Sequence, residues 1–197
     1  MNGVYNLHEL NKIIMNRRSV LPNMFTGETI DDGIVHQMLA NANWAPTHKK
    51  TEPWRFVVFK GDGLKKLAEF QSRLYREVST RAGDFREEKY NDLQTKPLRA
   101  SHIIAIGMKR DPKETVPEIE EIESVACAVQ NMYLTATAFG VGCYWGSGGI
   151  TYMEEAREFF SLGPRDRLLG FFYIGVPKKI PEGKRSPVEE KTTWVVS

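Results

Sequence analysis

The strongest repeating pattern of hydrophobic residues lies in the second half of the chain. Apolar residues recur at spacings of three and four from Ile119 to Ala136, and other apolar residues occupy the remaining faces. This spacing predicts a helix that begins near Pro117, ends near Gly140 and is apolar almost all round. Such a helix lies in a core or an interface, so Cys127 within it is expected to be an inert, buried thiol.

Shorter patterns predict the remaining elements. Runs dense in aromatic and β-branched residues predict strands at residues 55–60, 102–108, 143–145 and 168–177. Capping residues and apolar spacing predict helices that start at Asn6 and Thr29, with further helical segments at 64–92 and 154–160. The charges of the 64–92 segment indicate a solvated helical face, with a lid over a site as the alternative. The tail ends in TTWVV, which is expected to form an ordered edge segment.

The order of these elements indicates one domain. Helices and strands alternate without the regular spacing of βαβ units, and the sequence contains no internal repeat. We therefore expect residues 1–197 to form a single α+β domain in which a modest sheet packs around the long helix. The hydrophobic content of 41% is ordinary for one globular domain of this length.

Charge and cysteine content narrow the class of protein. A formal net charge of +2 is too balanced for a nucleic-acid-binding protein, which usually carries a concentrated basic face. The sequence has no run of about 20 apolar residues that predicts a membrane span, and no apolar run typical of a signal peptide. Two cysteines without a CxxC pair and four scattered histidines give no metal-binding spacing. We therefore expect a cytoplasmic protein that binds neither nucleic acid nor membrane.

Two pairs of cationic residues are candidates for binding a phosphate. Arg17, Arg18 and Ser19 follow the first predicted helix and offer two guanidinium groups and a hydroxyl. Basic residues also favour the C-termini of helices because of the helix dipole, so this motif alone leaves a structural role open. Lys184 and Arg185 lie in a predicted loop, where surface solubility is the simpler explanation. The spacing in sequence leaves open whether the two pairs meet.

Two further segments carry an unusual density of flat or flexible groups. WAPTHKKTEPWRF, residues 44–56, holds three aromatic residues, two prolines and a His-Lys-Lys step between a predicted helix and a predicted strand. GCYWGSGG, residues 142–149, is glycine-rich and lacks both the GK[ST] ending of a Walker loop and the GxGxxG pattern of dinucleotide-binding domains. Its glycines could let the backbone approach a flat ring, and a turn with a bulge is the alternative.

These patches together resemble the nitroreductase superfamily of FMN-dependent oxidoreductases. Arg17-Arg18-Ser19 resembles its RRS motif, and the loop after Trp44 resembles its APS-x-x-N-x-QPW motif. GVGCYWGSGG after the long helix and GFFYIGVPKK before the basic tail follow in the family's order. The APTHKK variant is similar to the compact, minimal nitroreductase-like proteins. The resemblance implies an α/β/α sandwich with a central, mostly antiparallel sheet and a long buried helix, assembled as an intertwined homodimer.

The resemblance also implies one FMN at each of two sites in the dimer interface, contacted by both chains. By position, Arg17, Arg18 and Ser19 would hold the phosphate and ribityl end of the cofactor. Arg185, together with Lys184, would join them from the tail.

The family likewise implies which residues surround the isoalloxazine ring. These are Pro46, Thr47 and His48 on one side of the ring, and Trp145, Gly146, Ser147 and Gly148 on the other. Lys96 would reach the flavin or its ribityl chain. Trp44 would form part of the wall at the other subunit's flavin.

The implied activity is carried by the cofactor. NAD(P)H would pass hydride to flavin N5, and an electron-poor acceptor such as a nitroaromatic or a quinone would then be reduced in the same place. No catalytic side chain is required, because the flavin carries the chemistry. Dehalogenation, ene reduction or consumption of the flavin stays open, as does a flavin-binding dimer without turnover. Lys50 and Glu52 stand where the family usually has Asn and Gln, which leaves the acceptor and the choice between NADH and NADPH open.

Overall fold

Four strands form one antiparallel sheet in the computed structural model, which describes residues 4–196. The strands are β1 (Trp54–Lys60), β2 (His102–Met108), β3 (Gly142–Gly146) and β4 (Arg167–Gly175). Their order across the sheet is β1-β2-β4-β3, and each neighbouring pair is antiparallel. The four predicted strands are therefore confirmed, with ends that differ from the prediction by at most two residues.

Five α-helices lie within the described residues. They are α1 (Leu7–Asn16), α2 (Asp32–Ala42), α3 (Asp62–Ala82), α4 (Glu87–Thr95) and α5 (Glu118–Ala138). The longest predicted helix is confirmed as α5, and the predicted Pro117 precedes its first residue as the N-cap. Within residues 4–196, every helix is too short or too polar to cross a bilayer.

Both faces of the sheet are covered, because β2 alternates its side chains between two cores. Ile104 and Ile106 pack with residues of α2 and α5 on one face. Ile103 and Ala105 pack with residues of α3 and α4 on the other face. All seven residues of β2 are buried, which explains why its sequence is nearly continuously apolar. The predicted α+β class and the α/β/α layering are confirmed.

The two sides of α5 have different environments. Nine of its residues are buried, among them Val125, Val129 and Met132, which face α2 and the sheet. Cys127 lies on the opposite side of the helix and is exposed, so the prediction of a buried thiol is wrong. The apolar residues on that side of α5 are small or partly exposed. The sequence pattern could not distinguish this exposed side from the buried side, because both sides carry apolar residues.

The start of α2 also differs from the prediction. The sequence suggested Thr29, whereas the helix begins at Asp32. Asp31 caps it, because its carboxylate accepts a hydrogen bond from the backbone N–H of Gly33 at 2.8 Å. The correct capping residue therefore lies two positions later than the predicted start.

Residues 64–92 contain two helices, α3 and α4; their charged faces are exposed as predicted, and α3 buries its other face. Two segments elsewhere depart from the expected secondary structure. Residues 154–160 form two short 3-10 turns in place of the predicted helix. The TTWVV segment, residues 192–196, is exposed and lies outside the four-stranded sheet, so the prediction of an ordered edge segment is wrong.

Candidate functional site

Three arginines line one cleft near the C-terminus of α1. Arg17 and Arg18 directly follow this helix, and Arg185 reaches the same cleft from the C-terminal tail. The cleft has a volume of about 360 Å³ and is completed by Ile14, Met15 and Gly183. The two predicted cationic pairs thus meet, although Lys184 lies outside the lining and is exposed. Three guanidinium groups around one cleft give it a positive charge that suits an anion.

Arg18 is held in this cleft from two sides. Its Nη1 donates to the backbone oxygens of Met15 at 2.6 Å and of Arg17 at 2.9 Å. Gly183 lies so close to the guanidinium that a Cβ at this position would sit 2.0 Å from Nη2. Arg18 Nε is buried and has no hydrogen-bond partner among residues 4–196. Buried donors are nearly always satisfied in proteins, so this atom fits a site that receives an acceptor oxygen.

Tyr133 on α5 connects the arginine motif to β3. The guanidinium of Arg17 lies over the Tyr133 ring at 5.2 Å from its centroid. The Tyr133 hydroxyl accepts a hydrogen bond from the backbone N–H of Trp145 at 2.7 Å. Burial raises the pKa of Tyr133, and hydrogen bonds with Ser19 and Trp145 partly oppose that shift. The phenol therefore stays protonated near neutral pH and fixes the relative positions of two predicted motifs.

The backbone brings the same two motifs together a second time. The N–H of Val20 donates to the oxygen of Cys143 at 2.8 Å, next to a parallel β-bridge between Ser19 and Cys143. The residues after α1 therefore run along the free edge of β3. This contact was hidden from sequence reasoning, because it joins segments more than 120 residues apart.

A second cavity, of about 100 Å³, lies beside β3 on the face of the sheet that α3 and α4 cover; we call it the lysine recess. The predicted residues Lys96, Gly146 and Gly148 line it together with Tyr144, and the exposed Ser147 lies between the two glycines. Lys96 Nζ sits 5.4 Å from the ring centroid of Tyr144 and 5.5 Å from that of Tyr173. Its distance to the Asp92 carboxylate is 3.9 Å, at the outer limit of an ion pair. The lysine therefore keeps donor capacity toward the recess.

The glycine-rich wall depends on a close backbone contact with β4. Gly170 has a φ of +122°, and a Cβ there would lie 2.4 Å from the backbone oxygen of Gly146. The indole Nε1 of Trp145 donates to the backbone oxygen of Leu169 at 3.0 Å, beside this contact. Trp145 consequently points into the core shared with α5, while Gly146 turns toward the lysine recess.

The loop from Trp44 to Glu52 is fixed at the other end of α5. His48 Nδ1 lies 2.5 Å from the Glu120 carboxylate, and Lys49 Nζ donates to the backbone oxygen of Thr115 at 2.9 Å. Lys49, Lys50 and Glu52 adopt left-handed φ values of 51°, 56° and 44°, which residues other than glycine rarely do. Such concentrated backbone strain is typical of functional loops.

The predicted cofactor-binding residues therefore fall into two separate groups within one chain. The loop, with Pro46, Thr47 and His48, touches α5 at Glu120, whereas Arg17 touches it at Tyr133. These points are thirteen positions apart along the helix, which corresponds to about 20 Å. Trp44, also in the loop, is 86% exposed. Within one chain the arginine motif contacts β3 through Tyr133 and Cys143, and the lysine recess lies against β3 as well, whereas the loop lies near the other end of α5.

The two cavities have the chemistry that the two ends of a phosphorylated, flat-ring cofactor require. The arginine cleft supplies guanidinium donors for a phosphate monoester, including the buried Nε of Arg18, which has no partner within residues 4–196. The lysine recess supplies an ammonium group and a glycine-rich wall for the edge of a ring. Tyr133 and Gly183 contact Arg17 and Arg18 in this candidate site, and the sequence did not single them out. A tyrosine hydroxyl within an apolar helix was the available signal for Tyr133, because a buried phenol needs a partner; Gly183 gave no signal.

Comparison with known proteins adds an independent line of evidence. A family model described as "Nitroreductase family" matches residues 14–176 of the chain. The Escherichia coli K12 protein named "Putative NAD(P)H nitroreductase YdjA" is 31% identical over 170 residues, which cover 85% of this chain and 87% of that protein.

Solved structures resemble the chain over its whole length. The crystal structure of a nitroreductase-like family protein from Bacillus cereus superimposes with a TM-score of 0.81 at 29% identity and covers 100% of both chains. The FMN-dependent nitroreductase NfnB from Mycobacterium smegmatis, solved in complex with NADPH, gives a TM-score of 0.74 at 17% identity, covering 97% of this chain and 100% of that one. At that identity the second likeness concerns the fold alone.

Proposed function

The chain belongs to the nitroreductase family, and we propose that it is an FMN-dependent oxidoreductase that carries electrons from NAD(P)H to an electron-poor acceptor such as a nitroaromatic or a quinone. The observation that carries this proposal is the convergence of Arg17, Arg18 and Arg185 on one cleft beside β3. The name of a relative, an NAD(P)H nitroreductase, supports the electron donor, and the FMN dependence of NfnB agrees with a flavin as the cofactor of this fold. When bound, FMN supplies the redox chemistry by accepting hydride and passing it on.

The arginine cleft would bind the FMN phosphate. Charge-assisted hydrogen bonds from guanidinium groups to phosphate oxygens are stronger than neutral ones and also orient the group. Arg17 is oriented by Tyr133 and Arg18 by carbonyls at the end of α1, so both cations are held before the ligand arrives. Ser19, beside Tyr133 and β3, would add a hydroxyl near the ribityl chain.

The lysine recess would accept the edge of the isoalloxazine ring. Gly146, Ser147 and Gly148 would approach the ring through their backbone, because glycines permit close contact. Lys96 would place a positive charge at the ring edge, where it would stabilise negative charge that develops on reduction. In this scheme the residues of the chain bind and orient the flavin and polarise its ring, and no side chain needs to transfer a proton.

Two chains would complete each site. The separation of about 20 Å along α5 supports a homodimer in which the loop of one chain, with Pro46, Thr47 and His48, covers the flavin held by the other. The exposure of Trp44 is consistent with a surface that a partner covers. The exposed apolar side chains of α1, such as Leu7 and Met15, add to this surface.

Anaerobic titration of the purified protein tests the function directly. The protein reconstituted with FMN should be yellow, and NADH or NADPH should bleach it; added nitroaromatic or quinone should restore the colour. A protein that stays yellow with both nicotinamides would be a flavin-binding module without turnover. A protein that rejects FMN would contradict the proposal altogether.

A further inference from the structure

Gln71 is a polar residue at an apolar position. It lies on α3 in line with Leu64, Leu67, Leu74 and Tyr75, which form the buried face of that helix, and it is only 1% exposed. Glutamine is rarely buried to this extent in proteins. The spacing of three and four residues along a helix would normally place a leucine or an alanine here.

The amide nitrogen of Gln71 is also without a hydrogen-bond partner among residues 4–196. This atom, Nε2, is buried. A buried donor without a partner carries a desolvation penalty that an apolar residue of the same size would avoid. Because such groups are rare in native proteins, this donor points to an acceptor that enters from outside the chain.

Gln71 faces the lysine recess. It lines this cavity together with Lys96 and the glycines of β3, so two donor side chains from different elements meet there. Tyr173 lines it as well, and burial raises the pKa of its phenol, which keeps that group protonated. The side chains of Lys89 and Asp92 lie at the same cavity. The recess therefore presents mainly donors to an incoming group, and a carbonyl oxygen is the complementary acceptor.

We propose that Gln71 binds the flavin ring directly, with its amide N–H donating to a carbonyl oxygen at the ring edge that Lys96 also approaches. This inference rests on the proposed function. A neutral donor at this edge forms a stronger hydrogen bond as negative charge accumulates on the ring during reduction. Gln71 thus holds the ring and also favours its reduced state.

The substitution Gln71→Met tests this role, because methionine keeps the length of the side chain and removes the donor. Gln94→Met on α4, where the glutamine is exposed, is the matched control. The readouts are FMN affinity from quenching of flavin fluorescence, the two-electron midpoint potential, and the thermal unfolding midpoint of the flavin-free protein. Gln71→Glu is a second variant that replaces the N–H donor by an acceptor and keeps the shape.

Gln71→Met should bind oxidised FMN about threefold to tenfold more weakly, as expected for the loss of one hydrogen bond. If the reduced ring loses a further tenfold, the midpoint potential falls by about 30 mV. Gln71→Glu should shift both quantities in the same direction, and Gln94→Met should shift neither. The flavin-free Gln71→Met protein should be at least as stable as the wild type.

Two failures are distinguishable. A wild-type protein that binds no FMN would overturn the proposed function and this inference together. Normal FMN binding by the wild type, with the same affinity and potential in Gln71→Met, would overturn this inference alone and assign Gln71 a structural role.

Discussion

At the scale of single residues, Arg18 shows how the cleft is organised before a ligand arrives. Two backbone oxygens accept from its Nη1, Gly183 packs against the guanidinium, and its Nε remains without a partner among residues 4–196. An arginine side chain that moves freely in solvent loses conformational entropy when it binds a phosphate. The contacts around Arg18 remove part of that cost in advance, which favours affinity.

The double substitution Arg17→Ala/Arg18→Ala should weaken FMN binding by roughly a hundredfold or more. Each charge-assisted hydrogen bond contributes about 1.5–3 kcal/mol, and every 1.4 kcal/mol is about tenfold in affinity. Equilibrium dialysis or flavin fluorescence measures the effect, and Arg73→Ala, at an exposed position on α3, is the control. Unchanged flavin retention in the double variant would exclude this cleft as the phosphate site.

Gly183→Ala should affect the cofactor and spare the fold. A methyl group would overlap the Arg18 guanidinium, and this side chain can swing away more easily than the backbone can move. We expect FMN affinity to fall about tenfold, comparable to losing one well-placed charged hydrogen bond. Unfolding of the flavin-free protein should change by less than about 0.5 kcal/mol.

The neighbouring Glu182→Ala, which alters another exposed residue of the tail, is the control for Gly183→Ala. Wild-type affinity in Gly183→Ala would show that the position of Arg18 in this structure is not the one that binds phosphate.

At the scale of elements, the strands were predictable because burial and sequence agree there. β2 is buried along its whole length, so its apolar run admitted one interpretation. The prediction of a helix at residues 154–160 failed because a helix of two turns or fewer is not stable by itself. Ser161 also adopts a left-handed φ of 57°, which ends the segment. The 192–196 tail has strand-forming residues, but a strand requires a neighbouring edge, and sequence propensity cannot supply one.

Asp32 connects three elements and should make the fold sensitive to acid. It lies in the first turn of α2, and its carboxylate pairs with Lys60 at the end of β1 and with His102 of β2. The hydrogen bond from Lys60, followed by that with His102, lowers the pKa of Asp32 below its ordinary value. A lowered folded-state pKa means that the stabilisation is present near neutral pH and is lost as the carboxylate protonates in acid.

Asp32→Asn should therefore lower the thermal midpoint at pH 7 and flatten its decrease between about pH 5 and 2.5. Thermal unfolding followed by circular dichroism across this range measures both effects. Asp84→Asn, at an exposed position between α3 and α4, is the control, and its thermal midpoint should decrease in acid as steeply as that of the wild type. A variant at position 32 with the same pH profile as the wild type would show that this carboxylate does not couple protons to folding.

At the scale of the whole molecule, the sequence showed the individual motifs and left open which of them meet. The functional groups of a motif such as Arg17-Arg18-Ser19 belong to consecutive residues, so the motif could be identified from sequence. The meeting of Arg185 with Arg17 joins residues 168 positions apart, and only tertiary structure decides it. Gln71 was concealed for a different reason, because one polar residue in a highly charged segment does not stand out until its burial is known.

The proposed division of each site between two chains predicts complementation between two defective variants. Arg17→Ala/Arg18→Ala removes the phosphate contacts, and Trp44→Ala/His48→Ala removes the loop contacts. In a twofold-symmetric dimer, refolding the two variants together in equal amounts restores one intact site in each mixed dimer, so about a quarter of all sites should recover. Flavin content and NAD(P)H oxidation measure the recovery, and separately refolded variants are the control. A mixture no better than the separate proteins would indicate that one chain forms the whole site.

Because Cys127 is exposed on α5, its thiol can be labelled to probe the surroundings of this helix. Burial raises the pKa of Cys143 far above the usual range of a thiol, so Cys127 is the cysteine that reacts. The rate at which a maleimide dye attaches then reads out how far the outer side of α5 becomes covered. Slow attachment in concentrated protein and fast attachment after dilution would map the subunit contact onto this helix without a single engineered substitution.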